Sequence, residues 1–111
     1  MTNAIQIMTA TGSREEADAI AEALLAERLA ACVQVWGPVT SRFWWEGKID
    51  RAQEWLCLVK TRKTLWDRVE QCIRSHHGYA TPEILALPVW AGARGYLAWL
   101  AAETAPDKAP A

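Results

Sequence analysis

Apolar and polar residues alternate strand-fashion in four stretches of this chain and recur at helical spacing in three others. Ala4 to Thr9, with Ile5 and Ile7 set between polar neighbours, predicts a first strand that stops at Thr11-Gly12. Ser13-Arg14-Glu15-Glu16 has the form of a capping box, in which Ser13 accepts from the backbone of Glu16 and Glu16 reaches back. The helix it opens would bury Ala17, Ile20, Ala21, Leu24 and Leu25 and hold Arg28 in its last turn. Ala30 to Trp45 then reads as extended, with Val33, Val35, Val39, Ser41, Phe43 and Trp45 on alternating positions either side of Gly37-Pro38. Ile49 to Lys60 returns the same way, and Thr40 to Ile49, where aromatic and β-branched residues run into a short Gly-containing turn and out again, reads as the tip of a β-hairpin. Such a strand rises about 3.3 Å per residue and would reach roughly 50 Å, beside a radius of gyration of about 13 Å for a domain of this size. The hairpin is therefore expected to overhang its own domain.

Thr64-Leu65-Trp66-Asp67 is expected to cap a second helix whose apolar line is Leu65, Val69, Cys72, Ile73 and His76, ended by Gly78. Tyr79 to Pro82 is a loop, Glu83 to Val89 a short strand closed by Pro88, and Gly92 to Glu103 a third helix with Tyr96, Trp99 and Leu100 on one side. Residues 1–104 make one domain, and the tail 105–111, with Pro106 and Pro110, is expected to be disordered. The order β-α-β-β-α-β plus a C-terminal helix predicts an α+β, ferredoxin-like fold. Right-handed crossovers place both main helices on one face of an antiparallel sheet and leave the other face bare. A bare apolar face and an overhanging aromatic arm both call for other copies of the chain, arranged in a ring.

Composition narrows the function. A chain of 111 residues is one domain, and its formal charge of −1 lacks the basic footprint that nucleic acid or an anionic membrane would require, so neither is expected as a partner. Met1 to Ile7 has no basic, apolar leader pattern, which predicts a cytosolic setting. Cys32, Cys57 and Cys72 follow no zinc-knuckle or CxxC spacing and are expected as thiols. Seven tryptophans in so short a chain must be largely buried, in the core or between subunits.

Two constellations carry candidate chemistry. Cys72 and His76, four apart on one helix face with His77 adjacent and Tyr79 and Glu83 beyond, could chelate a soft or borderline ion such as copper or zinc. The plainer reading is a buried thiol with a helix-terminal histidine bonding the last carbonyls. A second group, Trp45, Lys60, Tyr79 and Glu83, could bind a small anion or another chain's hairpin, or serve as interface ion pairs and aromatic packing. There is no nucleophile elbow, no phosphate-cradling loop and no paired-carboxylate spacing, so an enzyme is not expected.

Ala30-Ala31-Cys32-Val33, Phe43-Trp44-Trp45-Glu46-Gly47-Lys48-Ile49, Val59-Lys60-Thr61, Ser75-His76-His77-Gly78-Tyr79-Ala80-Thr81-Pro82-Glu83-Ile84 and Tyr96-Leu97-Ala98-Trp99 stand in an order that resembles the CutA divalent-ion tolerance proteins. The resemblance implies a homotrimer similar to the PII proteins, with hairpins exchanged between subunits. It also implies heavy-metal tolerance and Cu(II) binding, with no cofactor needed for folding. It places metal ligands at Cys32, Cys72 and His76, with His77 next to them, while Met8 stands where some relatives have a further Cys and Gly78 where a Pro is usual. The alternative it carries is a PII-like sensor of a small anionic ligand in subunit clefts, with Trp45, Lys60, Tyr79, Glu83 and Trp99 as lining residues.

Overall fold

A computed structural model describes residues 1–107. Its elements are β1 (Ala4–Thr11), α1 (Arg14–Ala26), β2 (Cys32–Trp45), β3 (Lys48–Arg62), α2 (Trp66–His76), β4 (Ile84–Pro88) and α3 (Arg94–Glu103), with one 3-10 turn, Lys63–Leu65, leading into α2. The strands form one antiparallel sheet in the order β2-β3-β1-β4. This is the ferredoxin-like arrangement expected from the pattern.

The pleat sorts the side chains. Ile7 lies opposite Val59, which lies opposite Val33, and Thr9 opposite Cys57, which faces Val35. These residues point to the side covered by α1 and α2, where Ile20, Leu24, Leu65, Val69, Cys72 and Ile73 close the core over Ile7, Cys57 and Val59. Alternation sends the next set to the second face: Gln6, Met8 and Ala10 of β1, Leu56, Leu58 and Lys60 of β3, Cys32, Gln34 and Trp36 of β2, Leu85 and Leu87 of β4. Among the described residues α3 shields one corner of that face, bringing Tyr96, Leu97 and Leu100 over Ala4, Gln6 and Lys60. Trp36, Leu85 and Leu87 remain 63%, 54% and 48% exposed.

The hairpin turns through Glu46 and Gly47, both with positive φ (49° and 78°), the two-residue arrangement that follows the twist of the strands and for which Gly is suited. Its register shifts between Trp36 and Val39, where Gly37 and Pro38 stand opposite Trp55 alone. Pro38 has no N–H for the ladder, so the bulge falls where the interruption does least harm. Phe43, Trp44, Trp45 and Ile49 are all exposed along this arm. The molecule measures 44 × 32 × 24 Å with a radius of gyration of 14.8 Å, above the roughly 13 Å of a compact domain, as an overhanging arm requires.

Several local expectations are corrected. Ser13 does cap α1, accepting from Glu16 N–H at 3.2 Å, but Glu16 does not reach back, because its carboxylate turns towards His77. Arg28 lies beyond α1 in the left-handed region (φ 54°), where Arg28 N–H donates to Leu25 and Leu29 N–H to Leu24 in a Schellman closure. Leu25 is 43% exposed rather than buried, since it sits on the shoulder of the helix stripe. Thr64 caps no backbone; its hydroxyl donates to Asp107 at 2.7 Å and accepts from Arg62. Residues 105–107 are not a loose tail. Ala105 N–H donates to the Arg28 carbonyl at 2.7 Å, and the Arg62 guanidinium binds Thr104, the Ala105 carbonyl and Asp107. The remainder of the expected tail, 108–111, lies outside the described residues.

Candidate functional site

The end of α2 is where the sequence concentrates ligand-type side chains. Leu65, Val69, Cys72 and Ile73 turn one face of the helix into the core, so Cys72 is carried inward with them. Its Sγ lies 3.8 Å from Glu27 Oε2 of the segment leaving α1. Burial first, and then the Glu27 carboxylate, push the Cys72 thiol up from its ordinary value, so it is held protonated. One turn on, His76 is exposed and folds back on its own helix, with Nδ1 2.9 Å from the Cys72 carbonyl. Donation by Nδ1 satisfies one of the orphan carbonyls of the helix end and leaves Nε2 free to accept or ligate.

His77 is used differently. Its side chain is fully buried, Nε2 lies 2.9 Å from the Ala10 carbonyl of β1, and Nδ1 accepts the Tyr79 N–H at 3.2 Å. An accepting Nδ1 and a donating Nε2 define one neutral tautomer, and both nitrogens are engaged with backbone. This ring pins the α2–β4 loop to the sheet. Glu16 Oε1 sits 3.6 Å from Nδ1, too long for a hydrogen bond, and has no hydrogen-bond partner among the described residues. Gly78 makes this approach possible, because a Cβ there would come within 2.8 Å of Glu16 Oε2. Beyond it, the Tyr79 hydroxyl donates to Glu54 Oε2 at 3.0 Å, linking the same loop to the root of the hairpin, where Glu54 faces Val39. Burial, then this hydrogen bond, then the Glu54 and Glu16 carboxylates push the Tyr79 phenol up to about 12.

The expected ligand set is therefore not gathered within one subunit. Cys72 and His76 share α2, but Cys32 points from β2 to the opposite face of the sheet and pairs across with Lys60. His77 has no nitrogen to give. Among the described residues no group of three or more Cys, His, Asp or Glu side chains is placed to hold an ion. A resident centre closed by three or four protein ligands does not fit this donor set. Cys57 is inert: it is fully buried, donates to the Ala17 carbonyl at 3.6 Å, and burial lifts its thiol to about 11. All three cysteines are free.

The second set is also dispersed. Trp45 stands at the hairpin tip, Tyr79 lies over Glu54, and Glu83 is exposed just before β4. Lys60 bonds Gln6 in a groove under one side of α3, while Trp99 lines another groove with Leu25, Ala30 and Ala31. Sequence reasoning placed Glu16 in the capping box and not beside His77, and it missed Glu54. The available signal for Glu54 was that β3 alternation sets it on the same face as Leu56 and Leu58, a polar residue at the end of an apolar line.

The family profile described as CutA1 divalent ion tolerance protein matches residues 5–103. The divalent-cation tolerance protein CutA of Archaeoglobus fulgidus is 44% identical over 88 residues, spanning 79% of this chain and 85% of that one, and its structure carries the name of a periplasmic protein. A rice relative named Protein CutA 1, chloroplastic, is 35% identical, covering 86% of this chain and 54% of its own length. The structure of the Thermus thermophilus divalent cation tolerance protein superimposes with a TM-score of 0.89 at 39% identity, covering 92% of this chain and 99% of that one. Among the described residues no helix is long and apolar enough to cross a membrane. Profile, sequence identity over most of both chains and superposition agree, and the chain belongs to the CutA1 divalent ion tolerance protein family.

Proposed function

We propose that the chain acts in tolerance of divalent heavy-metal ions as a cytosolic, PII-like homotrimer that binds Cu(II) reversibly and catalyses nothing. The observation that carries the metal part is the pair on α2: Cys72 and His76 lie one helical turn apart, His76 Nε2 has no hydrogen-bond partner among the described residues, and the ion would be cargo on this pair, with its remaining positions open to exchange. The raised Cys72 thiol means that binding must displace a proton, so affinity should fall as the pH is lowered. Copper should outrank zinc, and both should outrank magnesium and calcium, since a thiolate and an imidazole favour the softer ions. The open sheet face and the exposed arm support the homotrimer, because both are apolar surfaces of a kind that another copy buries.

Titration of metal-free protein with Cu(II), followed by Trp fluorescence at pH 7.5 and again at pH 5.5, tests the metal reading. Stoichiometric binding at the higher pH, weaker at the lower and lost in Cys72→Ser with His76→Ala, is the expected result. Equal binding by His76→Ala at both pH values sinks the site and leaves His76 as a helix-end cap.

A further inference from the structure

α3 is anchored differently from the other two helices. α1 buries Ala17, Ile20 and Leu24 and α2 buries Val69, Cys72 and Ile73, whereas among the described residues of α3 Leu100 alone is buried. The helix follows Ala93 with no side-chain cap among the described residues, no acid in its first turn and no basic residue in its last. A helix of 10 residues without these aids is marginal in water, because too short a run follows its costly first turn.

Distant parts of the chain supply those aids at its C-terminal end. The buried Thr104 hydroxyl donates towards the Leu100 and Ala101 carbonyls, 3.1 and 3.2 Å away, and accepts from Arg62 Nε at 2.9 Å. The Arg28 guanidinium donates to the Glu103 carbonyl at 3.2 Å and pairs with its carboxylate at 3.0 Å. These bonds satisfy carbonyls that the last turn leaves orphaned and set two cations at the negative end of the helix dipole. Beyond the helix, Ala105 N–H donates to the Arg28 carbonyl at 2.7 Å, Arg62 also binds the Ala105 carbonyl and Asp107, and Arg68 of α2 reaches the Pro106 carbonyl at 3.4 Å. Residues 104–107 thus form a strap from the end of α3 across the end of β3 to the start of α2. Arg62 is its node, since one planar fork, with its side chain 19% exposed, engages Thr104, Ala105 and Asp107 together.

We infer that α3 is a lid over the sheet corner at Ala4 and Gln6, held closed by the strap and latched by the Arg62 guanidinium, and that it opens as a unit while β1, α1 and α2 stay folded. An element with few buried side chains, fixed mainly through one end, belongs to the low-stability part of a fold and opens before the core does. Closed, the lid withholds the corner from whatever covers the rest of the second face; open, the corner joins that face. The inference does not rest on the metal reading, and Arg62 acts in it as a positioning residue.

Hydrogen–deuterium exchange of the intact protein, read by peptide mass spectrometry, tests this and needs no variant for its first arm. Hydrogen-bonded amides of α3 should exchange about tenfold or more faster than those of β1 and α1. Arg62→Met keeps the stem and removes the fork; it should speed exchange in α3 by a further factor of about ten while β1 and α1 keep the parent's rates. Thr104→Val, which leaves β3 untouched, should act in the same direction and carries the test if Arg62→Met does not fold. Exchange of α3 in step with β1 in the parent would mean that α3 belongs to the fixed core or is clamped by another copy, and would overturn the lid. Unchanged α3 rates in the variants would overturn the latch. So would equal acceleration of α3 and β1, which would make Arg62 a support of the whole fold.

Discussion

On one face of the sheet Ile7, Val59, Ile20 and Val69 are sealed from water beneath α1 and α2. On the other, Trp36, Leu85 and Leu87 are comparably apolar and about half open or more, with α3, among the described residues, over one corner. Both faces arise from the same pleat and the same alternation, so the strand pattern alone does not distinguish them. What differs is the cover. A side chain of this size removed from water contributes about 1.5–3 kcal/mol, and the second face carries that potential unrealised within a single subunit. The hairpin repeats the lesson, since Trp44 is 73% exposed on an arm whose regular register and tight Glu46-Gly47 turn make it well formed rather than frayed. Well-ordered apolar surface left in water is the signature of an interface.

The sharpest way to break this comparison is to place charge on the open face. Leu85→Asp, and Trp45→Asp on the arm, should each abolish assembly and cost at least several kcal/mol, more than any single truncation in the core, because an unpaired carboxylate would be buried between copies. If those positions face water in solution, both changes should stay within about 0.5 kcal/mol in a denaturant titration with the oligomeric mass unaltered. The next largest effect belongs to the covered face. Ile7→Ala removes a fully buried side chain between β3 and β4 and should lower the unfolding free energy by about 2–5 kcal/mol while leaving the mass of the assembly as it was. A change of mass in Ile7→Ala would mean that the two faces are not energetically separable.

Much of this architecture was legible in the residues because local chemistry and global fold agree. The alternation of Ile5 and Ile7, the Ser13 cap, the helix lines of α1 and α2 and the Glu46-Gly47 tip each specify one geometry. What was not legible depends on contacts distant in sequence. Thr64 looked like a cap but is taken by Asp107, 43 residues away, and residues 105–107 are fixed by Arg62 and Arg28 rather than by any pattern of their own. Cys32 and Cys72 were grouped through resemblance, yet Val33 and Val35 pack inward on the core, so alternation already places Cys32 on the far side of the sheet from Cys72. The division of labour between His76, bonded to its own helix, and His77, buried against Ala10, followed from the turn after α2 and not from their adjacency.

A smaller effect sharpens the comparison at the boundary between loop and arm. Tyr79→Phe deletes the hydroxyl that donates to Glu54, a hydrogen bond exposed enough to contribute near the lower end of about 0.5–1.5 kcal/mol. The phenol is pushed up to about 12 from an ordinary value near 10, so the folded state favours the neutral form. Its contribution is fully present below about pH 10 and is lost as the pH rises towards about 12. Denaturant midpoints measured between those values should therefore decline more steeply in the parent than in Tyr79→Phe. Parallel curves would remove Tyr79 as the tie between the α2–β4 loop and the hairpin root.

The central claim is that the open face and the arm are covered by other copies of this chain. Light scattering coupled to size exclusion, on unmodified protein at micromolar concentration, tests it most directly. The account predicts one species at three times the 12.4 kDa chain mass, unchanged on dilution through the micromolar range. A dominant species at the mass of a single chain would contradict it.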